Sequence, residues 1–398
     1  MDRILNIENE EQAREELRKI GVSRRGIAAM CSKMQNLNLK LMDLEIAAAN
    51  ILKQEMLKLG TDAAVAAGVV EGELNSTDVI LMGNIAQFKK LDLSDYKKFQ
   101  LPKIEKKIKE LLNIYFGKEK KMFDCGGVKM ELNSTKLMGI LNVTPDSFSD
   151  GSKYNTVEKA VRRALQMEEE GADIIDIGGE STRPGAPAVS NREEIKRVIP
   201  VIEELRHKSS IPISVDTRKA EVARKAILKG ANIVNDVSAL RYDNKMISVL
   251  QEFSDIPIII MHMQGSPKNM QKNPYYVNVI DEIMEFLQER IDFCVGNKVD
   301  KTRIIIDPGI GFGKRYEDNL KILLKLGEFR SLGVPVLLGA SRKSFLKNIY
   351  NDTTENRISG TLATTALAHK NKIDFVRIHD VKENYRFIKT LEEVESVK

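Results

Sequence analysis

Three short apolar runs end on side chains able to grip a nitrogen-rich ring. "PISVD" ends at Asp216, "IVN" at Asn235 and "IIID" at Asp307. An ionised aspartate offers only acceptors, while an asparagine offers both a donor and an acceptor. Together they suit the edge of a flat heterocycle with several N–H donors and one or two ring acceptors. Taken singly, such an aspartate caps the next helix about as often as it binds a ligand; the set of three argues for a ligand. A fourth run, "FVRIHDV", sets Arg377 and His379 two residues apart, hence on one face of a strand. With Asn142, at the tip of "LMGILN", they form a clamp for phosphate, and the neutral oxygen of Asn142 suits a hard cation such as Mg2+.

Other loops carry further candidates. "IIIDPGIGFGK" imitates a phosphate cradle, with three alternating glycines and Lys314, but Asp307 at its head would repel phosphate. It therefore reads as part of the ring grip. "LNVTPDSFSDG" places Phe148 between Asp146 and Asp150, a lid bringing apolar cover and negative charge; its plainer reading is a helix cap. "GGESTRPG" offers Thr182, the donor fork of Arg183 and the stiffening Pro184; its plainer reading is a loop tied down by a Glu180–Arg183 pair. "GASRKSF" sets Arg342 and Lys343 just before a helix whose N-terminal N–H groups can hold a carboxylate. No cysteine ends a strand, and no Ser–His pair has an evident orienting acid, so covalent catalysis is not indicated.

These residues need a scaffold that brings many strand ends together. From Lys136 onward, short Ile/Val/Leu runs alternate with amphipathic helical segments, the pattern of a parallel sheet buried on both faces. The runs lie at 137–143, 173–179, 212–217, 233–238, 257–263, 304–309, 334–341 and 375–381. An open doubly wound sheet would concentrate ligand groups at a few strands. Here polar residues end nearly every run, including Glu180, His262 and Ser341, and they converge only if the sheet closes. The expectation is a (β/α)8 TIM barrel over 121–398, preceded by a β-hairpin at "MFDCGGVKMEL" that plugs its N-terminal end. Residues 1–120 read as a separate small α+β domain. Its expected elements are a strand after Met34, a helix over 42–60, strands at "AAVAAGVV" and "TDVILMG", and a helix over 101–117.

Composition narrows the function classes. The formal net charge is only +5, and lysines alternate with glutamates, which speaks against nucleic-acid binding. The three cysteines, Cys31, Cys125 and Cys294, are scattered and odd in number, as expected of reduced thiols. No apolar run approaches the ~20 residues that span a bilayer. The sequence thus predicts a cytoplasmic protein without a membrane partner.

In chain order, "ILNVTPDSFSDG", "GGESTRPGA", "SVDT", "VNDVSA", "MHMQGSPKNMQKNPYY", "IIIDPGIGFGK", "LLGASRKSF" and "RIHDV" resemble the successive signatures of the dihydropteroate synthase family, over residues 122–398. The resemblance implies condensation of 4-aminobenzoate with (7,8-dihydropterin-6-yl)methyl diphosphate to give 7,8-dihydropteroate and diphosphate, a transferase reaction of folate biosynthesis. It implies that Asp307, Asn235, Asp216 and Lys343 hold the pterin ring. Arg377, His379, Thr182 and Asn142, with Mg2+, then hold the diphosphate. Phe148, Arg183, Pro184, Phe312, Lys343 and Ser344 frame the aminobenzoate, and Asp146 or Asp150 closes with the lid. It also implies a homodimer. Two other readings stay open: a methyltetrahydrofolate-type pterin methyltransferase, which has no use for the diphosphate clamp, and a non-catalytic pterin-binding module, which would have disrupted mobile loops. Ser152 and Ala239 stand where the family usually has glycine. Residues 1–120 lie outside the standard synthase and read as an accessory or oligomerisation module.

Overall fold

The computed structural model describes residues 5, 7, 9–71, 74–116, 122–144, 153–181, 188–267, 269–350 and 357–397. They fall into two compact units, Met1–Lys118 and Glu119–Lys398.

In the first unit, strands β1 (Asn36–Glu45), β2 (Asp62–Val65) and β3 (Ser76–Asn84) form an antiparallel sheet in the order β1-β3-β2. One face buries Leu41, Leu44, Val79 and Leu81 in a core shared with Leu52 and Met56 of the helix Ile46–Lys58 and Ile108 of the helix Leu101–Phe116. The first of these helices starts later than its apolar spacing suggested. A register shift between Leu41 and Leu44, with Asp43 at φ +53°, keeps Leu44 and Glu45 paired to Thr77 and Ser76. "AAVAAGVV" is likewise strand only to Val65, and a short helix, Gly68–Glu71, follows.

The second unit opens with a hairpin, β4 (Met122–Cys125) and β5 (Val128–Glu131), turned by Gly126 and Gly127 at positive φ. Eight parallel strands follow: β6 (Lys136–Asn142), β7 (Ile174–Gly178), β8 (Ile213–Asp216), β9 (Ile233–Asp236), β10 (Ile258–Met261), β11 (Ile304–Asp307), β12 (Leu337–Leu338) and β13 (Phe375–Ile378). They pair in the order β11-β10-β9-β8-β7-β6-β13-β12, and a parallel bridge between Ile306 and Val336 closes the ring. This is the expected barrel.

The period-two alternation of each strand sorts its side chains. Ile175, Ile177, Val215, Val234, Ile258 and Ile306 join the core shared with the surrounding helices. Met138, Ile174, Ile233, Ile259, Ile305, Leu337 and Phe375 form a second apolar cluster with Phe123 and Cys125 of the hairpin. Phe123 meets Phe375 edge to face, with ring centroids 5.9 Å apart. The hairpin therefore does plug the barrel, and the axis has an apolar floor. Two residues further along the same inward faces stand Asp176, Asn235, Met261, Asp307 and Arg377. Among the described residues no helix is long and apolar enough to cross a membrane.

Candidate active site

The inward layer above the floor is charged and tightly paired. Arg377 donates through Nε to Asp176 Oδ2 (2.5 Å) and through Nη2 to Asp216 Oδ2 (2.6 Å). Asn235 Nδ2 also donates to Asp176 Oδ2, at 3.2 Å. Thus β13 reaches past its neighbour β6 to β7 and β8 on the inward face of the curved sheet. Burial pushes the Asp216 carboxyl up to about 7, against the pull of Arg377. Arg377 keeps its proton more firmly than usual, because Asp176 and Asp216 outweigh its own desolvation. Asp236, beside Asn235 in sequence, turns elsewhere: it accepts from Ser238 N–H (2.8 Å), Ser238 Oγ (2.6 Å) and Leu240 N–H (2.9 Å) and so shapes a turn. That turn carries Ala239 and Leu240 at φ +52° and +61°, so Ala239 places a Cβ in the left-handed region.

Across the mouth, Asp307 is buried with one oxygen committed. Its Oδ1 accepts from Gly309 N–H at 2.7 Å. Its Oδ2 lies 3.4 Å from where a Cβ on Gly339 would stand, so a side chain there would crowd the oxygen. Burial raises the Asp307 carboxyl, offset by the Gly309 N–H and then by Lys343, Lys314 and Arg377. The glycines after it serve close approach to backbone. A Cβ on Gly309 would stand 2.0 Å from His262 O, and one on Gly313 would stand 2.5 Å from Gln264 O. Lys314 does not reach for phosphate. Its buried ammonium donates to His262 Nδ1 (2.9 Å), Phe312 O (3.1 Å) and His262 O (3.4 Å), tying the loop to the tip of β10. Burial lowers the Lys314 amine to about 7 and His262 to about 2. His262, packed on Phe286 with centroids 4.9 Å apart, is a structural histidine. Phe312 lies under Lys343, whose Nζ stands 4.0 Å from the ring centroid.

Asn142, Arg163, Arg342, His379 and Asp380 line a cavity of about 290 Å3 beside β6 and β13. Ser341 Oγ accepts from the backbone N–H of His379 (3.2 Å) and lies within hydrogen-bond distance of His379 Nδ1 (3.1 Å), which leaves Nε2 as the ring nitrogen not engaged by Ser341. Burial, reinforced by Arg377 and Arg342, lowers His379 to about 4, so at neutral pH it is an uncharged donor. Arg342 makes a two-bond pair with Asp380, with Nε on Oδ2 at 2.9 Å. Ser344 opens a three-residue 3-10 turn, Ser344–Leu346, and α-helical residues Lys347–Tyr350 follow it among the described residues.

The structure thus gathers Asp216, Asn235, Asp307, Phe312, Lys343, Arg377 and His379 on strand ends and following loops at one end of the barrel, with Asn142 at the tip of β6. Asp146, Phe148, Asp150, Thr182, Arg183 and Pro184 lie outside the described residues. Glu180 is held by Arg218 (3.0 Å) and Lys219 (2.8 Å). Sequence reasoning passed over Asp176 and gave Lys314 no role. The signal for Asp176 was present: it is a carboxylate on the inward parity of the isoleucine strand "IIDIG".

The pterin binding enzyme family matches residues 138–379 of the chain. The dihydropteroate synthase of Bacillus subtilis is 47% identical over 258 residues, 65% of this chain and 88% of that protein. A probable bifunctional folylpolyglutamate synthase/dihydropteroate synthase of Halobacterium salinarum is 39% identical over 97% of this chain and 46% of its own length, so its similarity extends into the first unit. The dihydropteroate synthase of Xanthomonas albilineans, solved with 4-aminobenzoic acid, superposes with a TM-score of 0.66 at 43% identity, covering 70% of this chain and all of that one. The chain belongs to the pterin-binding enzymes and, within them, to the dihydropteroate synthases.

Proposed function

We propose that the barrel condenses (7,8-dihydropterin-6-yl)methyl diphosphate with 4-aminobenzoate and that the strand ends divide the work. The observation carrying this reading is the inward polar layer, where acceptors from Asp216, Asn235 and Asp307 share one mouth with Arg377 and His379. Asp307 Oδ2 accepts from the ring amide and exocyclic amine, Asn235 from the same edge and Asp216 from an N–H of the reduced ring. Lys343 donates to the ring carbonyl and ring nitrogen. Arg377, neutral His379 through Nε2–H, Thr182 and Asn142 hold the diphosphate. Phe312, Arg183, Pro184 and Phe148 frame the aminobenzoate, with its carboxylate near Ser344.

Mg2+ fits this donor set. Among the described residues there is no group of three His, Cys, Asp or Glu that would form a protein cage. Asn142, at the cavity, offers a neutral oxygen of the kind a hard cation takes beside a phosphate-bearing substrate. Asn142 would hold it, and its chemistry is neutralisation of charge on the departing diphosphate.

The protein's own part is a dissociative substitution. Arg377 and the Nε2–H of His379 stabilise the leaving diphosphate as its C–O bond breaks. The electron-rich ring carries the resulting methylene cation, and the buried negative charge of Asp307 and a lid carboxylate, Asp146 or Asp150, stabilises it. The arylamine nitrogen then forms the new C–N bond and releases a proton. Product formation from the two substrates, with and without Mg2+, tests the activity: no dihydropteroate from folded protein refutes it. Slow diphosphate release without aminobenzoate is expected, and its strict absence refutes the dissociative course. The homodimer implied by the family is part of this proposal and is checked by light scattering.

A further inference from the structure

A carboxylate to which no substrate contact has been assigned stands at the centre of the layer. Asp176 is fully buried on the inward face of β7, and its Oδ2 takes both Arg377 Nε (2.5 Å) and Asn235 Nδ2 (3.2 Å). Its Oδ1 has no hydrogen-bond partner among the described residues, and neither has Oγ of Ser214, its register partner on β8. Donor and acceptor counts give two consequences. The Asn235 amide directs an N–H at Asp176, so the end it presents to a ligand is its carbonyl oxygen. Arg377 is anchored by Nε, so its terminal nitrogens are the part able to move, and one of them, Nη2, rests on Asp216 Oδ2 at 2.6 Å.

We propose that Asp176 is a positioning residue that couples the ring and diphosphate halves of the site. The inference rests on the substrate reading given above. In the structure, Arg377 bridges Asp176 and Asp216, so Oδ2 of Asp216 is engaged by the cation and not by a ligand. An anion on the side of Asn142 and His379 draws Nη2 away from Asp216, while Asp176 keeps Nε. Asp216 then becomes available to the ring, whose other contact, Asn235, is oriented by the same carboxylate. Diphosphate and ring therefore assist each other through a residue that touches neither.

Titration calorimetry on the full chain tests this with two probes, inorganic pyrophosphate with Mg2+ and 6-hydroxymethyl-7,8-dihydropterin. In the wild type, saturating pyrophosphate is expected to tighten the free pterin. Asp176→Asn is expected to weaken each probe by about tenfold or more, the effect of a charge-assisted hydrogen bond, and to abolish the mutual tightening. The KM for aminobenzoate should not change. A merely structural role would instead lower the Tm and weaken all three ligands together, with the coupling kept. Normal binding of both probes by Asp176→Asn overturns the proposal. So do wild-type probes that bind independently, a result that decides the matter even if the variant fails to fold. A wild type that binds neither probe overturns the substrate reading as well; independent binding of both overturns only this inference.

Discussion

Replacing Asp307 with asparagine separates what this residue does for the ligand from what it costs the fold. Its Oδ1 is fixed by Gly309 N–H at 2.7 Å, so the variant's carbonyl oxygen must stay on that donor. The new amide nitrogen then occupies the place of Oδ2, and a donor faces the N–H groups of the ring. A charge-assisted hydrogen bond is lost, and a buried donor is left unmatched. Together these are worth about 3–4 kcal/mol, roughly a few hundred-fold in pterin affinity. Stability should move the other way. Burial raises the Asp307 carboxyl above its ordinary 3.8, so the folded chain keeps this proton to higher pH than the unfolded chain does. Stability therefore falls as pH rises from the unfolded value through the folded one, and the whole cost is present above it. At pH 8, Asp307→Asn should melt at or above the wild-type temperature, and that advantage should vanish in acid. Calorimetric binding of the pterin and thermal melts from acid to pH 8 measure both effects. An unchanged pterin affinity refutes the assignment, as does a large fall in Tm with aminobenzoate binding lost in parallel.

Three further outcomes follow from other residues. Lys314 titrates near 7 when folded and 10.5 when not, so between those values the unfolded chain binds more protons and wild-type stability gains up to about 1.4 kcal/mol per pH unit. Lys314→Met should lack that gain; urea melts showing a constant wild-type-minus-variant difference from pH 7 to 9 would refute it. Gly309→Ala drives a Cβ to 2.0 Å from His262 O at φ +71°, so a loss of more than about 2 kcal/mol is expected in chemical denaturation, together with weakened pterin binding. The unit Glu119–Lys398, expressed alone, should keep synthase activity, because every assigned residue lies in it and the Bacillus subtilis enzyme aligns with only 65% of this chain; a folded but inactive barrel would overturn that expectation.

The barrel was legible because its signals are local and repeated. Four-residue runs such as Ile304–Asp307 and Ile258–Met261 are buried on both faces, and each carries its polar group at or just past its end. Asp216, Asn235 and Asp307 could be read as a set because they fall at equivalent positions. Pairings across the barrel could not be read: nothing local says that Arg377 lies on Asp176, 201 residues away in sequence. The role of Lys314 stayed hidden for a similar reason. Its GxGxGK setting resembles a phosphate loop, and the acceptors that claim its ammonium belong largely to His262, 52 residues earlier. In the first unit, helical spacing from Met42 onward lost to strand pairing, since a register shift lets Leu44 and Glu45 continue the ladder with Thr77 and Ser76.

Arg377 apart, which Asp176 and Asp216 keep charged, one cause underlies the main perturbed groups of the site. The apolar floor made by the hairpin and by Ile174, Ile233, Ile259 and Ile305 lies two residues below the polar layer, so water cannot hydrate that layer from beneath. Desolvation pushes Asp216 and Asp307 toward their protonated forms and Lys314 and His379 toward their neutral ones. Acids and bases are displaced in opposite directions, and both toward loss of charge. A ligand with N–H donors at one end and an anion at the other reverses both displacements at once, because each end restores hydrogen bonds that water would have made. The penalty built into the free site thus reappears as binding energy for a molecule carrying both ends. A pterin alone or a phosphate alone recovers only part of it. That selectivity needs the two halves on one rigid layer, and Asp176, bonded at once to Arg377 and Asn235, is what joins them.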